Sequence, residues 1–74
     1  MTTAILTESG SVYVFSGSDC DCWHDGKIER QFVECKILDC EVGKPLRFSR
    51  RKLGLPPTSF GITQTSDIVK IERT

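Results

Sequence analysis

Long hydrophobic runs are missing from this sequence, and their absence limits where the protein can act. No apolar stretch approaches the roughly 20 residues that a helix needs to cross a bilayer. The N-terminal residues also lack a basic segment followed by an apolar one, so we expect no secretory signal peptide. A cytoplasmic protein that does not enter a membrane is therefore predicted.

Signatures of catalysis are equally scarce. The six glycines are scattered and match neither the GxGxxG nor the Walker pattern. The single histidine, His24, lies two residues from Cys22, but a catalytic pair also needs an orienting group and a pocket that excludes water. A chain of 74 residues has few residues with which to enclose such a pocket. We therefore expect a protein that is not an enzyme.

No convincing amphipathic helix of ten residues is present either, and the dominant apolar period is two. Short β-branched and aromatic segments alternate with turns that contain glycine or proline, which predicts five or six strands. The clearest turn is Asp25-Gly26, because a type I′ turn needs positive φ at both central residues. Predicted strands lie at 2–7, 11–15, 28–39, 46–50 and 66–72, with a short arm through Trp23 before the Asp25-Gly26 turn.

Two details of this pattern can be checked against the structure. In the segment 28–39, alternation places Val33, Cys35 and Ile37 on one face and Phe32 on the other, so this strand is expected to bend or to be covered on both sides. The segment 51–61 holds two prolines and two glycines and is predicted to be a loop. Its large apolar residues are expected to fold back on the core; they are Leu53, Leu55 and Phe60.

Together these signals predict one all-β domain over residues 1–74. Turns at intervals of about 8–12 residues favour a small barrel or a strongly twisted antiparallel sheet of five to six strands, of the SH3-like or OB-like kind. An open sheet would leave strand edges unpaired, and such edges suit β-augmentation by a partner or homodimerisation. At this length a core is marginal, so a metal, a disulfide or a partner often adds stability.

The charges are balanced in number but not in position. Residues 1–42 carry eight acidic against three basic side chains, whereas residues 43–74 carry two acidic against seven basic. Five of the basic residues fall between Lys44 and Lys52 with no acid among them. This basic run either faces the acidic half of the same chain or attracts an anionic partner. We expect a protein partner, held by Arg47, Arg50, Arg51 and Lys52, with Trp23 as a core plug or an interface anchor.

Nucleic acid is the alternative partner for the basic arm 44–52. Small barrels bind single strands through a positive groove and aromatic side chains on which bases stack. Phe48 lies between basic residues, but alternation directs it inward together with Leu46. A net charge of zero also differs from the basic charge typical of nucleic-acid-binding domains. Protein binding is therefore the preferred prediction.

Four cysteines and the histidine form a constellation with three interpretations. Cys20, Cys22 and His24 share one face of an extended segment, and Cys35 or Cys40 could join them across a hairpin. Zinc takes four thiolate or imidazole ligands, so a zinc-stabilised module is one interpretation. The spacing is not the Cys-x-x-Cys of the usual zinc knuckle, which leaves plain buried thiols as the second. A disulfide is the third, with Cys35–Cys40 disfavoured because the two would lie too far apart on one strand.

Three framework segments carry a family resemblance. Residues 8–15, 42–48 and 65–72 contain the patterns SGSxY, GxxLxF and TSxIxxI in that order and cover about a third of the chain. They resemble the framework of short uncharacterised β proteins from actinobacteria and their phages. The resemblance implies a small cytosolic β module, encoded by a phage or as an accessory gene, and it carries no site residue over.

Overall fold

The computed structural model describes all 74 residues as six strands and one turn of 3₁₀ helix. The strands are β1 (Thr2–Thr7), β2 (Ser11–Ser16), β3 (Asp19–His24), β4 (Lys27–Asp39), β5 (Pro45–Lys52) and β6 (Gly61–Arg73), and the 3₁₀ turn is Pro57–Ser59. Every strand pairs antiparallel with the next, and β6 pairs with β1 to close the ring. The prediction of a small all-β barrel is confirmed. No helix in it has the length and apolar content needed to span a bilayer.

Closure removes the free strand edges that the sequence led us to expect. Each of the six strands is hydrogen-bonded to two neighbours. A closed ring has no edge to which a partner could add a strand. The expectation of edges for β-augmentation was therefore wrong.

The two longest strands make closure possible, because each changes its partner along its length. The first part of β4 pairs with β3 up to Phe32, and from Phe32 onward the strand pairs with β5. In the same way β6 pairs with β5 as far as Asp67 and with β1 from Ile68 onward. β4 and β6 thereby join their neighbours into the single closed sheet of the barrel.

A bulge in β4 brings residues at both even and odd positions of the strand into the core. The register with β5 is interrupted after Val33, and Glu34 there has a φ of 56°. Phe32, before the bulge, is 5% exposed, and Cys35 and Ile37, after it, pack against the same core. One extra residue shifts the alternation of a strand by one position. The bend expected in this strand is present.

The core is built around Phe48, which has no exposed surface. The rings of Tyr13, Phe15 and Phe32 meet it edge-on, with centroids 5.5, 5.4 and 5.7 Å away. Such aromatic pairs each contribute about 0.5–1.5 kcal/mol beyond the area that they bury. Four of the six aromatic side chains are thereby used to fill the barrel.

Local turn chemistry fixes the β3–β4 hairpin. Asp25 and Gly26 both have positive φ, of 51° and 72°, and join His24 to Lys27 across the strand pair. These are the angles that a type I′ turn requires. The Asp25-Gly26 prediction is confirmed.

The three framework segments meet at one corner of the barrel. The backbone amide of Glu8 donates to the Asp67 carbonyl at 2.9 Å, and Ser66 Oγ is 3.2 Å from Ser9 Oγ. The amide of Gly43 donates to the Ile68 carbonyl, also at 2.9 Å. These segments therefore hold the β1–β2 turn and the β4–β5 turn against β6, which is a structural role.

Candidate functional site

The four basic residues predicted to bind a partner lie on β5 but differ in what they contact. Arg47 and Lys52 are exposed and form no ion pair. Arg51 is largely covered: its guanidinium lies 3.2 Å from a Glu34 carboxylate oxygen and donates to the Leu55 carbonyl at 2.6 Å. Two of the four positive charges are therefore available at the surface without any rearrangement.

Arg50 takes a third position, at the rim of the barrel. Its guanidinium carbon is 5.5 Å from the centroid of the Phe32 ring, which is a cation–π contact. Its Nε is buried and forms no hydrogen bond with the protein. The side chain covers the aromatic core, so a substitution here changes packing as well as charge.

Part of the basic run faces acids of the same chain, as one interpretation of the sequence proposed. Besides the Arg51–Glu34 pair, Lys44 Nζ lies 3.0 Å from a Glu41 oxygen. Both acids come from the acidic half of the sequence. Internal neutralisation therefore involves Lys44 and Arg51 and leaves the charges of Arg47 and Lys52 unpaired.

The segment after β5 exposes large apolar side chains, contrary to expectation. Leu53, Leu55 and Phe60 are 61%, 43% and 47% exposed, so the expectation that they fold back on the core was wrong. The barrel interior is already filled by the cluster around Phe48, which leaves no room for them. Ile62, at the start of β6, is 63% exposed beside them in sequence.

These side chains define what we call the arm surface. Its members are Arg47, Lys52, Leu53, Leu55, Phe60 and Ile62. The hydrogen bond from Arg51 to the Leu55 carbonyl ties the loop to the strand that carries the basic residues. The arm surface therefore joins unpaired positive charge with exposed apolar area.

Trp23 is not part of the arm surface. It lies on β3, half-buried, with Val12 of β2 and Ile28 of β4 as its cross-strand neighbours. Because Cys22 before it points into the core, alternation places Trp23 on the outer face of the barrel. A partner held at the arm surface would therefore use Trp23 only if it reached around the barrel.

The predicted metal residues do not come together as a set. No group of three or more His, Cys, Asp or Glu side chains is arranged to hold a metal ion. Cys20 and Cys22 belong to the buried core, and Cys35 and Cys40 pack against it. All four cysteines are free thiols.

His24 and Cys22 do not form a catalytic pair. His24 Nδ1 is 3.5 Å from Ser11 Oγ, and Nε2 is 3.8 Å from a carboxylate oxygen of Asp25, which is almost fully exposed. Cys22 instead faces Tyr13 and, at 3.9 Å, Glu29. Burial raises the pKa of the Cys22 thiol, so the group is protonated and weakly nucleophilic at neutral pH.

The exposed apolar part of the arm surface is the surface feature that sequence reasoning missed. Periodicity distinguishes the two faces of a strand, but residues 53–60 form a loop with no period. Two adjacent prolines restrict the backbone of this loop, but they do not indicate which way its apolar side chains point.

Comparisons with known proteins return nothing that bears on function: this chain matches no protein-family model, no curated protein and no solved structure. The surfaces of the barrel are therefore the only basis for a functional conclusion.

Proposed function

We propose that this chain is a cytoplasmic, non-enzymatic protein-binding module that docks on a larger protein through its arm surface. The partner segment carries acidic side chains next to apolar ones. It meets the side chains of β5 and the β5–β6 loop and adds no strand to the barrel.

One observation supports this proposal above all others. Leu53, Leu55, Phe60 and Ile62 all expose more than two fifths of their surface within ten residues of chain. Scattered exposed apolar residues are normal on a protein, but a concentrated patch marks an interaction site. Four large side chains in a domain with only eight buried apolar residues form such a patch.

The charge beside the patch indicates the chemistry of the partner. Arg47 and Lys52 are exposed and form no ion pair. Asp39 of β4 lies opposite Arg47 in the register without forming an ion pair with it, and Glu34 is paired with Arg51. Charge complementarity at the rim of an interface increases the association rate and excludes like-charged partners. An acidic partner segment is therefore favoured over a basic one.

The aromatic side chains count against a single-stranded nucleic acid at this surface. Bases need exposed rings on which to stack, and four of the six aromatic rings are packed in the barrel interior. Phe60 is the one ring of the arm surface. An acidic, apolar peptide uses the leucines and the isoleucine, which a nucleic acid would leave without contacts.

The test is selection from a random peptide display library against the immobilised protein. We expect the enriched peptides to combine Asp or Glu with large apolar residues. The double variant Arg47→Glu, Lys52→Glu should weaken their binding by at least about tenfold, mainly through slower association. Arg50 and Arg51 are left unchanged because their side chains are held by Phe32 and Glu34.

The matched control is Lys27→Glu, a charge reversal at an exposed residue at the start of β4, far along the chain from the arm surface. It should leave peptide affinity unchanged. The proposal would be contradicted if no peptides were enriched. It would also be contradicted if the enriched peptides bound the Arg47→Glu, Lys52→Glu variant as tightly as the Lys27→Glu control. Tight binding of labelled single-stranded oligonucleotides that weakens steeply with salt would replace it with nucleic-acid binding.

A further inference from the structure

Four apolar side chains form a row across the outside of the barrel. Leu6 of β1 is paired with Val12 of β2, Val12 with Trp23 of β3, and Trp23 with Ile28 of β4. Directly opposed residues of antiparallel strands point to the same face. The residues before Leu6 and Trp23, and the one after Val12, belong to the interior, so the row faces outward. We call Leu6, Val12, Trp23 and Ile28 the apolar row.

One end of the apolar row opens into a notch. A cavity of about 220 Å³ lies between Ala4, Leu6 and Val12, with Lys70 and Glu72 of β6 at its rim. It is the only cavity of the molecule. An apolar cavity of about 150 Å³ is enough to take up benzene, so the notch can accept a large side chain.

The opposite end of the row carries its most exposed member. Ile28 is 44% exposed at the start of β4, beside the ring of Trp23. A bulge between Cys22 and Trp23 interrupts the strand register here. The row therefore carries an exposed apolar end on β3 and β4 and a receiving apolar end on β1 and β2.

This combination is complementary to itself. A two-fold axis that lies in the contact plane and runs perpendicular to the row places the exposed end of each copy over the notch of the other, which is the geometry of an isologous contact. A partner of a different sequence would need only one of the two features. The presence of both on one row favours a second copy of the chain.

The charges around the row point the same way. Its four members are uncharged, and the rim of the notch holds one base and one acid, whose Nζ and Oε1 lie 2.7 Å apart. The whole chain has a net charge of zero. Two copies can thus meet at this face without net repulsion, whereas an acidic or basic partner would gain nothing from it.

We propose that two copies of this chain form a symmetric dimer through the apolar row, with Trp23 and Ile28 of each copy seated at the notch of the other. The inference is independent of the function proposed for the arm surface. A contact of a few side chains falls at the small end of protein interfaces, so the dimer should dissociate in the micromolar range.

The test is sedimentation equilibrium of the intact chain from low micromolar to millimolar concentration. We expect one monomer–dimer equilibrium. The variant Ile28→Lys places a charge in the apolar contact and should raise the dissociation constant at least about tenfold. The matched control Ile62→Lys makes the same change at a still more exposed isoleucine, on the part of β6 that pairs with β5, and should leave the dimer unchanged.

Trp23, the only tryptophan, reports on the contact directly. Its emission should shift to shorter wavelength as concentration rises in the wild type and in Ile62→Lys, but not in Ile28→Lys. Ile28→Thr keeps a β-branched residue in the strand and serves if the lysine variant does not fold. A monomer up to millimolar concentration, a dimer that Ile28→Lys leaves intact, or growth beyond the dimer would each overturn the proposal.

Discussion

The arm surface and the apolar row are both apolar, and they differ in exposure and in the charge that surrounds them. The arm surface carries the unpaired bases Arg47 and Lys52. The apolar row is bordered by Lys70 and Glu72, which are paired with each other. Exposed apolar area favours association with other molecules, whereas the charge at its rim determines which partner can approach. The comparison therefore separates a site for an acidic partner from a site for a second copy.

The two surfaces also differ in how the fold supports them. The row lies on four adjacent strands, and its positions are fixed by backbone pairing. The arm surface includes the loop 53–60, which is held to β5 by the Arg51–Leu55 hydrogen bond. A sheet face presents a preformed contact, while a loop can adapt to the segment that it binds.

The largest expected effect removes both surfaces at once. Phe48→Ala deletes the ring on which three other rings pack and leaves a cavity at a site with no exposure. Such a change costs about 3–5 kcal/mol of the free energy of unfolding, which is a large part of the stability of so small a domain. Urea denaturation should show it, and Leu53→Ala in the exposed loop is the control, with about 0.5 kcal/mol or less.

Alkaline pH should also weaken the barrel that both surfaces share. Burial raises the pKa of the Cys20 thiol and, together with a hydrogen bond to Cys22, that of the Tyr13 hydroxyl. The folded chain therefore keeps protons that the unfolded chain releases, so this stability is present below the ordinary thiol pKa of 9.0 and is lost as pH rises above it.

The melting temperature should accordingly fall steadily from about pH 9 upward, because each deprotonation favours the unfolded state. Cys20→Ala should lessen this decline. A melting temperature that stays level as the pH rises above about 9 would show that the buried thiol has no such role.

Salt sharpens the comparison between the two surfaces. Raising the ionic strength screens exposed charges, so the affinity of a selected acidic peptide for the arm surface should drop several-fold. The dimer formed by the uncharged row should hold or strengthen, since excluded salts favour apolar burial. Parallel titrations at low and high salt measure both, and equal weakening of the two would mean that charge does not distinguish them.

The smallest effect is expected from a chelator. Because no group of three or more potential ligands is arranged for a metal, we expect the melting temperature to be the same with and without a zinc chelator. A fall of several degrees would instead identify a zinc-stabilised module and would require Cys20 and Cys35 to recruit further ligands.

The sequence predicted the barrel because its signals are local. Strand periodicity and the Asp25-Gly26 turn depend on neighbouring residues, and both appear in the structure. Even the bend in β4 followed from Phe32 lying out of phase with Cys35. Ring closure depends on pairing between β1 and β6 at opposite ends of the chain, which no local pattern fixes.

The candidate site was harder to predict for the same reason. A run of bases is visible in the sequence, but the pairing of Arg51 with Glu34 and the stacking of Arg50 on Phe32 depend on strand register. The apolar row was not visible either. Leu6 and Ile28 are separated by 21 residues and become part of one surface only when β1 to β4 align.

An amide chemical-shift titration of the isotope-labelled protein with a selected acidic, apolar peptide tests the separation of the two surfaces most directly. We predict that the chemical-shift changes are confined to residues 45–62. The amide signals of Leu6, Val12, Trp23 and Ile28 should keep the chemical shifts that they have in the dimer without peptide. Shifts centred on the apolar row, or a peptide that dissociates the dimer, would contradict the assignment of two partners to two surfaces.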